Sequence, residues 1–261
     1  MKINNIGMGI IIIEDLFTFD KSLIKDYINW LKNGNENAFE YRIEDGIEYA
    51  FNKTGFRFKA EDVRQAPQRF MDLKGLNRLD KPGDYFLNIV SLLEDFSYKA
   101  LVEYCKIFSD AATTAWWRPN GHIAGYCAGQ GIGPHCDDQV PFEWGKETGN
   151  QNSMHNSTSI NLYLNDCVLN SDELDDFTYT GGELRFPHAD YTWKPKMGSV
   201  ALYPSSYVGR HEVLPVTAGE RYAFLTVACY GTDFNQKELV GEENPQKIWM
   251  PRLSSDIMIT N

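Results

Sequence analysis

No apolar run in this chain is long enough to cross a bilayer. The only candidate for a targeting segment, Met8 to Ile13, leads directly into Glu14 and Asp15. A spanning helix needs about 20 apolar residues, so we read the run as a buried first strand and expect no membrane partner. Cysteine is scarce: Cys105, Cys127, Cys136, Cys167 and Cys229 are odd in number and form no CxxC pair. That argues against a disulfide framework and for reduced thiols in a soluble, cytoplasmic protein. Positive charge is also short, with a formal net charge of −11. Phosphate binding relies on Lys and Arg, so no nucleic-acid partner is expected. No repeat, low-complexity tract or dividing linker occurs. What is present is apolar and aromatic mass, 43% and 13% of 261 residues, enough for a sizeable packed core.

We therefore expect a single domain over 1–261. Residues 1–114 would supply N-terminal helices and flanking strands, 115–235 a β-rich core, and 236–261 a C-terminal extension. Ile24, Tyr27, Ile28 and Leu31 recur at helical spacing, and Asn33-Gly34-Asn35 ends that helix. Tyr98, Leu101, Val102, Cys105 and Phe108 mark a second helix. Residues 36–85 read as irregular. From Ala115 to Tyr230 the chain offers short β-prone runs: "TSINLYLN", "GELRFP", "SVALYP", "HEVLPV" and "RYAFLTVACY". Turn signals fall at Gly181-Gly182, Pro195 to Gly198 and Thr217 to Glu220. Many short strands with regular punctuation point to a barrel or jelly roll with the helical half packed outside it.

Within "GPHCDDQV", His135 and Asp137 are one residue apart and would share a face if the segment is a strand. An imidazole and a carboxylate side by side describe a metal site or a surface ion pair equally well. A third ligand decides between them. His122 precedes a strand, His155 lies in an Asn/Ser-rich loop, and His188 looks like a hairpin turn. His211 opens "HEVLPVTAGERYAFL", read as a strand, a tight turn and a second strand carrying Arg221. Two histidines and one carboxylate from separate strands form the facial triad of non-haem Fe(II) oxygenases. In "SINLYLN", Ile160, Leu162 and Leu164 share one face, and Asn161, Tyr163 and Asn165 the other. Arg221 shares its face with Ala223 and Leu225. A guanidinium there needs a buried anion, and a bound dicarboxylate would serve if no internal acid does. Its two-pronged donors match a carboxylate.

The segments "GYCAGQGIGPHCDD", "SINLYLND", "TGGELRFPHADYTWKPKMGSVALYP" and "RHEVLPVTAGERYAFLT" together resemble the prolyl 4-hydroxylase-like branch of the 2-oxoglutarate/Fe(II)-dependent dioxygenase superfamily. The resemblance covers roughly Gly125 to Tyr230. It implies an α+β, mostly β fold with a double-stranded β-helix (jelly-roll) core and supporting N-terminal helices. It makes His135, Asp137 and His211 the iron ligands and catalytic centre, and Arg221 the partner of the distal carboxylate of 2-oxoglutarate. Tyr163 would help hold that carboxylate, and Tyr126 would line the pocket. It further implies Fe(II), 2-oxoglutarate as co-substrate, O2, and ascorbate as reductant. The reaction would hydroxylate an unactivated C–H bond, as a prolyl hydroxylase-like enzyme does, while 2-oxoglutarate is decarboxylated to succinate and CO2.

Two departures stand near the expected substrate entrance. Ile132 occupies a position where many relatives carry a tyrosine, and the loop after Asp137 is long. The substrate is therefore left as a peptide or a small molecule. The loop Gln139 to Ser157, with Phe142, Trp144 and Met154, is a candidate lid or a solvated insertion. "WWRPNGH" either lines the pocket rim or packs in a strand. Cys136 and Asp138 receive no role. Two competing readings keep the fold: a cupin-like jelly roll holding Zn(II) without oxygenase activity, and a non-catalytic sugar- or protein-binding jelly roll. Arg221 argues against a hydrolase, which has no need of it.

Overall fold

A computed structural model of the chain describes residues 1–35, 39–52, 57–60, 68–70, 84–119, 121–138, 142–143, 146–147, 156–230 and 247–249. Among these residues no helix is long and apolar enough to cross a membrane. The chain opens with a hairpin, β1 (Lys2–Gly7) and β2 (Ile10–Glu14), turned at Met8 and Gly9, both at positive φ. The expected first strand is thus the second. Met8 sits exposed in the turn, and only Ile10 to Ile13 are buried.

Helix α1 (Lys21–Asn35) starts where Asp20 accepts the backbone N–H groups of Ser22 and Leu23 at 2.9 and 3.3 Å, a side-chain cap. Its stripe Ile24, Tyr27, Ile28 and Leu31 is buried as expected. Helix α2 (Asp84–Ile107) begins well before the predicted stripe and is followed by a short helix, α3 (Ser109–Thr114).

The described residues within 36–85 form strands where the sequence reads as irregular. A three-stranded antiparallel meander, β3 (Phe39–Glu44), β4 (Ile47–Asn52) and β5 (Arg57–Lys59), precedes the short β6 (Gln68–Phe70). Asp45 and Gly46 form its first turn at φ 51° and 76°. Asp-Gly is the sequence signal of that two-residue hairpin, and it was present to be read.

The second half supplies β7 (Ala115–Pro119), β8 (His122–Cys127), β9 (Ile132–His135), the two-residue strands β10 (Phe142–Glu143) and β11 (Lys146–Glu147), and β12 (Asn156–Tyr163). It continues with β13 (Asp166–Cys167), β14 (Thr178–Gly181), β15 (Leu184–Phe186), β16 (Tyr191–Trp193), β17 (Val200–Pro204), β18 (His211–Val213), β19 (Val216–Tyr230) and β20 (Lys247–Trp249). The main sheet runs β1-β2-β17-β12-β19-β14-β13, with β8 and β7 also paired to β19. A smaller sheet runs β16-β15-β18-β9. The two enclose the jelly-roll interior.

Alternation sorts the main sheet's side chains. Ile11, Ile13, Ile160, Leu162, Leu202 and Phe224 pack with α1 and α2 on the outer face. Ile10, Ile12, Tyr126, Tyr163, Tyr203 and Ala223 face inward and meet Leu184, Phe186, Trp193 and Val213 of the smaller sheet.

The predicted turn at Thr217 to Glu220 does not exist. The chain turns at Leu214-Pro215, and β19 then runs unbroken from Val216 to Tyr230. Gly219, at φ +75°, marks an irregularity inside that strand instead. A Cβ there would sit 2.3 Å from the carbonyl oxygen of Thr178 on β14. His211 and Arg221 therefore lie in different sheets, not on neighbouring strands of one hairpin.

Candidate metal centre

The site forms where β9 and β18 pair. His135 and His211 are direct cross-strand partners, which puts both rings on one face with centroids 4.4 Å apart. The strand ends at His135, so Asp137 is not on it. Asp137 sits in the turn that follows and is brought back to the histidines by anchors on β12 and just past the end of β17. Its carbonyl accepts from Asn156 Nδ2 at 2.8 Å, and the next backbone N–H donates to Ser205 O at 3.1 Å. Ser159 Oγ donates to Asp137 Oδ2 at 2.5 Å and contacts Ser205 Oγ at 2.9 Å. Asp137 Oδ1 is left 3.5 Å from His135 Nε2 and 3.8 Å from His211 Nε2. One ligand atom from each residue lies within 4.8 Å of the others.

The ring orientations suit metal binding. Each histidine places Nδ1 on the carbonyl two residues earlier, His135 on Gly133 O at 2.8 Å and His211 on Gly209 O at 3.1 Å. A carbonyl only accepts, so Nδ1 carries the hydrogen and each Nε2 presents its lone pair, the usual ligand atom of histidine metal sites. Burial pushes His211 below its usual range, with His135 adding to this and the Asp137 carboxylate opposing it. Burial would raise Asp137, but His211, His135 and Ser159 outweigh it and hold the carboxyl at about 2. The donors are therefore one carboxylate and a neutral imidazole in His211, the protonation states a divalent cation requires.

Arg221, inward-facing on β19, is 1% exposed. Its guanidinium lies over the rings of Tyr126 and Tyr163 at 4.8 and 5.2 Å. No carboxylate pairs with it among the described residues, and its Nε has no hydrogen-bond partner. The adjacent Glu220 is taken by Lys32 of α1 at 2.7 and 2.9 Å. The hydroxyls of Tyr163 and Tyr179 are buried and have no hydrogen-bond partner among the described residues. Burial pushes Tyr163 up to about 12 and Tyr179 higher still, so both are neutral O–H donors. Gly182, at φ +65°, allows this crowding: a Cβ would come within 3.0 Å of Arg221 Cδ and 3.1 Å of the Tyr179 ring. A buried cation and two idle donors define a place for an anion.

All six sequence-predicted site residues are thus brought into one interior, with Tyr126 directly opposite Arg221 in the β8–β19 register. Of the other histidines, His188 lies exposed in the β15–β16 turn and His122 begins β8. His155 falls outside the described residues. So does the proposed lid, apart from the backbone of β10 and β11 and the start of β12. Trp117 is buried against Cys229 with Trp116 beside it, a packing cluster apart from the site. Ser159, Tyr179, Tyr203 and Ser205 were missed. For Ser159 a signal existed, since it continues the Asn161–Tyr163 row two residues earlier.

A jelly roll with a His-Asp-His cluster in its interior offers the donor set for a single metal ion. Residues 121–227 match the family described as the 2OG-Fe(II) oxygenase superfamily. That matching stretch contains His135, Asp137, His211 and Arg221. Similar solved structures include the viral collagen prolyl hydroxylase of Paramecium Bursaria Chlorella virus-1 in its 2OG complex, at 16% identity over 86% of this chain and 97% of that one, TM-score 0.49. Another is the Trichoplax adhaerens prolyl hydroxylase in complex with a hypoxia inducible factor oxygen degradation domain peptide fragment, at 18% over 90% and 88%, TM-score 0.48. A Pseudomonas putida prolyl-4-hydroxylase matches at 15% over 86% and 94%, TM-score 0.45. No curated protein matches the chain.

Proposed function

We propose that the protein is an Fe(II)- and 2-oxoglutarate-dependent hydroxylase in which His135, Asp137 and His211 hold the iron. The observation that carries this reading is the buried Arg221, which has no carboxylate partner among the described residues and faces the same interior as the cluster. A structural or hydrolytic zinc site gives no reason for such a cation. A dicarboxylic 2-oxo acid does, because one end chelates the metal and the other supplies the missing anion.

When bound, Fe(II) with 2-oxoglutarate and O2 supplies the oxidising power to hydroxylate an unactivated C–H bond, releasing succinate and CO2. The chain's own residues do the rest. The Gly133 and Gly209 carbonyls and Ser159 fix the ligand orientations. Arg221 binds the distal carboxylate through charge-assisted hydrogen bonds, with the Tyr163 hydroxyl as a further donor. The aromatic walls of Tyr126 and Tyr163 exclude water from that end.

The sequence resemblance to prolyl 4-hydroxylase-like enzymes makes a peptidyl proline the substrate class to test first. The same resemblance supports ascorbate as reductant. All five cysteines are free, which supports a reducing compartment such as the cytoplasm. The test is succinate release from 2-oxoglutarate by Fe(II)-loaded protein against a library of proline peptides and small metabolites. Failure to form succinate with any of them, with the metal bound, overturns the proposal.

A further inference from the structure

Tyr203 on β17 is fully buried, and its hydroxyl oxygen lies 3.0 Å from His211 Nε2 and 2.7 Å from Asn161 Nδ2. His211 Nδ1 carries the ring hydrogen because its partner, Gly209 O, only accepts. The neutral ring then offers a lone pair at Nε2, and Tyr203 must be the donor. Asn161 donates its amide hydrogen to the same phenolic oxygen, which leaves the O–H free to point at the histidine.

The phenol is therefore aimed at the atom a metal would occupy. A lone pair shared with a cation accepts no hydrogen bond, and a buried hydroxyl without an acceptor is costly. Asn161 Nδ2 cannot relieve it, being a donor itself. Asp137 Oδ1, 3.8 Å from the same Nε2, would itself be drawn to the metal, and an oxygen bound to the metal beside His211 would offer the phenol a new acceptor.

We propose that Tyr203 donates a hydrogen bond to the metal-side oxygen of the bound 2-oxo acid, in the carboxylate next to its keto group. The inference rests on the reading of the site given above. It divides recognition between two ends: Tyr203, oriented by Asn161, reads the oxo-acid head, and Arg221 reads the distal carboxylate. A 2-oxo acid without a distal carboxylate would then depend on Tyr203 and be indifferent to Arg221.

The experiment compares the full chain with Tyr203→Phe and Arg221→Met under anaerobic conditions. Fe(II) is titrated first. Then 2-oxoglutarate or pyruvate is added, followed by the visible absorption band of the iron-chelated 2-oxo acid. Tyr203→Phe is expected to bind Fe(II) within about twofold of the parent and both oxo acids about tenfold more weakly, the loss of one hydrogen bond to a charged acceptor. Arg221→Met should lose affinity for 2-oxoglutarate alone. A parent band with Tyr203→Phe unchanged toward both acids overturns the inference and leaves the parent reading standing. A defect confined to Fe(II) binding overturns it too, and assigns Tyr203 to the ligand set instead. Absence of any band in the parent protein defeats the underlying reading and this inference with it. Should Tyr203→Phe fail to fold, Asn161→Ala keeps the phenol but frees its orientation. It should weaken both acids in parallel, and equal affinity to the parent counts against the proposal.

Discussion

On the outer face of the main sheet, Ile11, Ile13, Ile160, Leu162, Leu202 and Phe224 pack against α1 and α2, and their neighbours are apolar. One residue along the same strands, the inner face carries Ser159, Asn161, Tyr163, Tyr203 and Arg221. Both faces are buried almost completely, so burial does not separate them. What separates them is satisfaction. On the outer side the buried Arg118 of β7 is paired with Glu94 of α2 although its Nε has no partner, whereas on the inner side the Arg221 Nε and the hydroxyls of Tyr163 and Tyr179 have no partner among the described residues. Such groups are destabilising unless something fills the interior. Stability is assembled on one side of each strand and binding on the other.

That contrast can be broken most sharply at the metal cluster. Asp137→Ala should abolish succinate formation outright, while leaving the outer face intact by near-unchanged far-UV circular dichroism. Next in size is the outer face itself. Leu162→Ala should lower folding stability by about 2–5 kcal/mol, measured by urea unfolding, with little change in 2-oxoglutarate affinity in the protein that remains folded. A matching loss of affinity would mean the two faces are not separable.

Arg221→Met should weaken 2-oxoglutarate by about 100-fold, as expected for losing charge-assisted contacts. It should also leave the ligand-free protein as stable or more so, because an unpaired buried charge is removed. A large fall in melting temperature would show that the guanidinium has an internal partner after all.

The smallest effect expected is in acid. Asp137 is held at about 2, below an unfolded carboxyl near about 3.9. Its contribution to stability is complete above the unfolded value and is lost as pH falls toward the folded one. Metal-free Asp137→Asn should therefore lose less stability than the parent between those two pH values. Parallel acid-unfolding curves would show that Asp137 is not held down.

Much of this was legible because it is local. The helical stripe of α1 and the alternation in β12 follow from residue spacing, and the structure buries Tyr27 and Leu162 accordingly. The meander over 39–59 was legible in part, through Asp45-Gly46, but its strands carry exposed residues such as Ile43 and lack a clear alternating signal. Thr217 to Glu220 misled for a different reason. A glycine with positive φ usually means a turn, yet Gly219 lies where β19 comes against the β14 backbone, and no local pattern reports a partner strand. The same limit applies to Tyr203, whose meaning depends on a histidine eight residues later and an asparagine on another strand.

The sequence by itself determined which residues could hold a cation and which could grip an acid, since side-chain chemistry and the period of a strand are local properties. Only the tertiary structure decided that β9 and β18 pair His135 with His211, that Asp137 is returned to them from beyond the strand end, and that Arg221 lies in the opposite sheet with no acid to meet it among the described residues. Those facts depend on hydrogen-bonded register between distant segments, and register is set by the packing of the whole barrel.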